Sequence, residues 1–140
     1  MNSIKKTAEM KDRKVILSTL WIFAMFNYLY ADIVSLMDPV SLKQIMTGTL
    51  GSLQITQGFL LGAAILMETA IAMVLLSRVL KYGANRWANI IVGVLHTAAV
   101  LSSMFVGTTP ALYYLFFGAI EIACTLFIVW YAWTWTNSES

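Results

Sequence analysis

Residues Leu53–Ser77 read LQITQGFLLGAAILMETAIAMVLLS, and the one ionisable side chain in that run is Glu68. A helix on the surface of a soluble protein carries a polar face, whereas this segment is apolar nearly all round. Such a helix belongs in hydrocarbon, where roughly 20 residues at about 1.5 Å each cross a core of about 30 Å. Working outward from it, three more runs have the same character, giving predicted spans at 15–37, 53–77, 87–106 and 111–135. The fold class expected is all-α: an integral membrane four-helix bundle, threaded up-down-up-down. A basic tail, residues 1–14, precedes this 15–135 domain, and residues 136–140 follow it.

Composition points the same way. Of 140 residues, 59% are hydrophobic and 11% charged, against about 25% charged in an ordinary soluble domain. A soluble chain of this length could not hide that much apolar surface. Five of the nine basic residues lie in the first fourteen positions, a flank too small to suggest nucleic acid. The single cysteine, Cys124, excludes an intrachain disulfide, CxxC redox chemistry and a thiol-rich metal site. The first apolar run is longer than the core of a signal peptide, so it is expected to stay as a span.

Turn signals separate the spans. Asp38-Pro39 reads as a stop, or as the N-cap and first residue of a short surface helix. Gly83 with Asn85 is expected to end the second span and cap the third, and Thr109-Pro110 to cap the fourth. Lysine and arginine set direction: Lys5, Lys6, Lys11, Arg13, Lys14, Arg78, Lys81 and Arg86 fall on one side, and Lys43 on the other. Both termini are therefore expected in the cytoplasm of a cell whose inner, or plasma, membrane holds the chain. Trp87, Trp130, Trp133 and Trp135 then belong to a cytoplasmic aromatic belt, and Tyr113 and Tyr114 to the outer one.

Lipid offers no hydrogen bonds, so polar side chains within spans are expected to face one another. Each span brings one to about mid-depth: Asn27, Glu68, His96 and Glu121. Helical spacing extends them into stripes, among them Gln57–Leu61–Ala64–Glu68, Asn89–Gly93–His96–Ser103 and Tyr114–Gly118–Glu121–Thr125. These four residues form the expected ligand or proton pocket. In the stretch MFNYLYADIVSLMDP, Asp32 lies nearer the outer interface and forms an outer entrance with Tyr28, Gln57 and Ser103. GFLLG, with Gly58 and Gly62, reads as helix packing within the bundle or between two protomers.

The chemistry these residues allow is narrow. One histidine cannot make a bis-histidine haem, and two deep glutamates fall short of a diiron carboxylate set. No cofactor and no metal are expected. The leading expectation is binding or transport of a small molecule or proton through the polar pocket. The alternatives are a membrane enzyme using Glu/His acid–base chemistry on a lipid-soluble substrate, and a structural or accessory subunit. The expected partners are the bilayer, an unidentified small molecule and a second copy of the chain.

The segments NYLYADIVSLMDP, ITQG, NRWANIIVG and GAIEIACTLFIVWYAW occur in an order that resembles a family of small bacterial four-helix membrane proteins of unknown function. The resemblance runs from Lys14 to Trp135. It carries over Tyr30, Asp32, Asn85, Arg86, Trp87 and Glu121 as pattern positions, with no activity attached. More distantly the chain is similar to the DoxX/DoxD-type proteins, which implies a four-helix membrane fold with a quinone or redox association.

Overall fold

A computed structural model describes residues 2–106 and 110–136. It contains five helices, α1 Asn2–Met37, α2 Pro39–Met46, α3 Gln57–Val79, α4 Tyr82–Met104 and α5 Leu112–Trp133, and a small ribbon of β1 Thr49–Leu50 with β2 Leu53–Gln54. Four of the helices, α1, α3, α4 and α5, are long and apolar enough to cross a membrane.

The helix ends differ from the expected spans for local reasons. Nothing in residues 2–14 breaks a helix, because Lys, Glu, Met and Ala propagate one well. The basic tail is accordingly the first part of α1. Asp38 caps α2, its carboxylate accepting from the amides of Val40 and Ser41, with Pro39 in the first turn. Gly48, at φ +77°, ends that helix and Gly51, at φ +58°, turns the ribbon. Leu53 and Gln54 pair with Leu50 and Thr49, so α3 starts later than expected, capped by the Thr56 hydroxyl. In contrast α4 starts early, at Tyr82, and Gly83 and Asn85 lie inside it rather than capping it. For α5 the cap position is Ala111, and Thr109 lies outside the described residues.

Side-chain bonds give the packing. Ser18 of α1 donates to the Val74 carbonyl of α3 at 2.7 Å, and Lys14 to Leu80 at 2.6 Å. The stretch of α1 around Lys14 and Ser18 therefore lies beside the end of α3. Cys124 of α5 donates to Leu20 of α1, and Arg13 to the Tyr131 carbonyl, so α5 also runs against α1. Thr97 and Thr125 join α4 to α5 at 2.7 Å. On α1, the core stripe is Leu17, Trp21, Ala24, Tyr28 and Ala31, spaced by steps of four and three. The outlying helix is α3, which buries just Ala70, Met73 and Ser77.

Candidate functional site

At the end of the molecule carrying the basic residues, the interior is closed by a continuous hydrogen-bonded network. The amide of Asn89 is its centre. Its oxygen accepts from Trp21 Nε1 at 2.8 Å and Ser77 Oγ at 3.2 Å, and its nitrogen donates to the main-chain oxygen and Oδ1 of Asn85. Asn85 in turn donates to the Ser77 carbonyl at 2.6 Å. Trp21, Ser77, Asn85 and Asn89 are all fully buried. Asn85, expected as a helix cap, is thus a strut between α3 and α4.

Around this network the cations sit on helix C-termini, where carbonyls lack partners and the helix dipole is negative. Lys14 serves α3; Arg13 donates to Tyr131 and Arg86 to Trp133 at the end of α5. The guanidiniums of Arg13 and Arg86 also lie over the rings of Tyr131 and Trp133, at 4.8 and 5.4 Å from their centroids. Trp87, Trp130 and Trp133 are exposed, whereas Trp135 is buried edge-on against Tyr82. Trp135 is therefore core and not belt.

One step deeper lies His96, which is 1% exposed. Its Nε2 is 2.9 Å from Thr69 Oγ1 and its Nδ1 3.1 Å from the Tyr28 hydroxyl. The Thr69 proton is committed to the Leu66 carbonyl at 2.6 Å, so Thr69 accepts and Nε2 carries the hydrogen. In a neutral ring Nδ1 then accepts from Tyr28. Trp21 packs edge-on to the imidazole, with centroids 5.5 Å apart. Three helices thus meet on one ring whose two nitrogens are both engaged.

The other members of the expected layer do not join it. Asn27 is buried but bonds its own helix, donating to the Phe23 carbonyl at 2.9 Å. Glu121 is 6% exposed, and its Oε1 has no hydrogen-bond partner among the described residues. Glu68 is exposed, on the side of α3 that faces away from the other helices. The stripe through Gln57, Leu61, Ala64 and Glu68 is real but points outward, and Thr69, the next residue round the helix, points in. A carboxyl facing hydrocarbon at mid-span costs about 2.5–3.5 kcal/mol on insertion scales. Gly62 is no close-approach point within the chain either: an added Cβ would meet nothing within 4 Å. Among the described residues no group of three His, Cys, Asp or Glu side chains could hold a metal.

Two cavities remain open. A groove of about 800 Å³ runs between α1 and α3, walled by apolar residues such as Ile22, Phe26 and Ile71, with Asp32 at one end and Arg78 at the other. A second, of about 850 Å³, lies at the end away from the basic residues, called the outer end below, beneath α2 and the ribbon, and is lined by Asp32, Asp38, Ser103, Tyr113 and Tyr114 among others, without a Lys or Arg. Asp32 lines both. Of the expected entrance residues, Ser103 lines the outer cavity and accepts from Tyr114 at 2.6 Å. Tyr28 lies deeper, on His96, and Gln57 is exposed and lines neither cavity.

The rim of the outer cavity is tied down by Asp38. Its carboxylate accepts from the Ser41 hydroxyl at 2.7 Å, and Ser41 lies 3.2 Å from the Tyr113 hydroxyl, joining α2 to α5. The Ser41 hydroxyl bond is the main influence holding the Asp38 carboxyl below its ordinary value of 3.8.

No characterised protein and no solved structure matches the chain. Its own arrangement of four apolar helices around a buried polar core goes with one family match, a family of unknown function, DUF6326, whose model spans residues 5–140, and the chain belongs to that family.

Proposed function

We propose that this is a multi-pass protein of the cell membrane, threaded up-down-up-down with both termini in the cytoplasm, and that it binds a small lipophilic cation at Asp32. The observation that carries the reading is the place of Asp32, where an apolar groove meets an outer cavity lined by acids and no base. A cation with an apolar body suits both: its charge pairs with Asp32 while its body lies between α1 and α3. Arg78, at the far end of the groove, repels the cation there and so sets its direction. The basic residues on one side support the orientation.

This reading moves the ligand outward from the polar layer, which serves packing. Both nitrogens of His96 are engaged, so neither is free to act as a base on a substrate. The closed network around Asn89 favours binding over passage.

Equilibrium binding of tetraphenylphosphonium to the full chain in nanodiscs tests the reading. Asp32→Asn should weaken binding about tenfold, which is roughly 1.4 kcal/mol, and the anion tetraphenylborate should not bind. Equal binding of the two ions, or unchanged affinity in Asp32→Asn, overturns it.

A further inference from the structure

Glu68 stands at the midpoint of α3, exposed, and no group among the described residues meets it. Hydrocarbon cannot satisfy a carboxyl, and ionisable residues within spans face protein or a water-filled cavity. Glu68 lines neither of the two cavities. Exposed and without a partner among the described residues, its face of α3 is open to a partner in the membrane.

We propose that a second copy of this chain covers it, the two α3 helices meeting about a two-fold axis along the membrane normal with their Glu68 carboxyls opposed. Two copies inserted the same way bring equal residues together at equal depth. The face suits that symmetry. Its polar members are Gln57 near the outer end and Glu68 at the centre, and beside them Leu61, Ala64 and Val79 are apolar. An amide both donates and accepts, so Gln57 is its own partner. A carboxylic acid group, with one O–H donor and one carbonyl acceptor, is likewise complementary to its own copy. Ala64, one turn from Glu68, lets the backbones approach. This inference is independent of cation binding at Asp32.

Disulfide trapping of the full chain in liposomes tests it, with Cys124→Ser as background. Ala64→Cys should give a covalent dimer whose yield does not fall as the lipid-to-protein ratio rises. Leu126→Cys, exposed on α5, should stay monomeric. Adding Glu68→Gln to Ala64→Cys should preserve the dimer, and Glu68→Lys should reduce it about tenfold, since two ammonium groups repel. Monomer throughout, dimer lost on dilution, equal trapping at Leu126→Cys or indifference to Glu68→Lys overturns the proposal. So does Ala64→Cys capturing a different protein in native membranes. A Glu68→Lys chain that fails to fold leaves the Ala64→Cys and Glu68→Gln arms to decide.

Discussion

The two ends of the molecule are built from similar residue types and come out differently. At the basic end, Asn85, Asn89, Ser77 and Trp21 close on one another with no space between them. At the outer end, Asp32, Asp38, Ser103 and the tyrosines line a cavity of about 850 Å³. The difference lies in the connections. Leu80 and Lys81 alone separate α3 from α4, so those helices leave each other in contact. At the other end α1 and α3 are separated by a short helix and a ribbon, which stand off the bundle and leave room beneath. The polar groups of the tight half satisfy one another, whereas in the loose half Asp32 is left facing the cavity.

The sharpest way to break the contrast is Asn89→Ala. It strands the Trp21 indole N–H and the Asn85 side-chain Oδ1 in a fully buried site, and unpartnered buried groups cost about 1–3 kcal/mol each. Unfolding in mixed micelles, followed by tryptophan fluorescence, should show a loss of about 3 kcal/mol. A loss well under 1 kcal/mol would mean the network does not hold the basic end.

A pair of glycines gives the next largest effect. A Cβ on Gly93 would lie 2.7 Å from Val129 Cγ2, on a stiff branched side chain, so Gly93→Ala should cost about 1–2 kcal/mol. Gly62→Ala meets nothing and should leave stability equal or raise it by up to about 1 kcal/mol, the helix propensity gain. Equal effects at the two sites in the same unfolding assay would contradict the packing.

The smallest effect is at the outer rim. Because the folded chain holds the Asp38 carboxyl below 3.8, its contribution is present above that value and fades as pH falls through the lower folded one. Protection of the Val40 and Ser41 amides against hydrogen exchange, measured relative to the intrinsic rate at each pH, should fall on acidification below about pH 4. The Asn85 side-chain amide at the basic end, which bonds no titrating group, should not respond.

The buried half of the design was partly readable. Helix spacing put Asn89, Gly93 and His96 on one stripe, and all three are buried. What could not be read was the partner of His96. The helical stripe that Tyr28 shares with Asp32 points it to the entrance, and nothing in the pattern marks Thr69 beside the charged Glu68. The Asn85 strut was hidden because an asparagine after glycine is also a good cap. The family match agrees with the resemblance as far as a family of unknown function covering the chain; the DoxX-like similarity found no counterpart.

By itself the sequence determined that four helices are long and apolar enough to cross a membrane, and roughly where they lie, because an unbroken apolar run in a helix is costly anywhere but in lipid. It also determined which ends are basic. Only the tertiary structure decided which face of each helix turns inward. In a soluble helix the apolar face is buried and the pattern tells inside from outside, but where both faces are largely apolar only scattered polar residues mark the inner side, as they do on α4 and do not on α3. That is why LQITQGFLLGAAILMETAIAMVLLS announced α3 plainly, while packing alone turned Thr69 toward His96 and left Glu68 facing out.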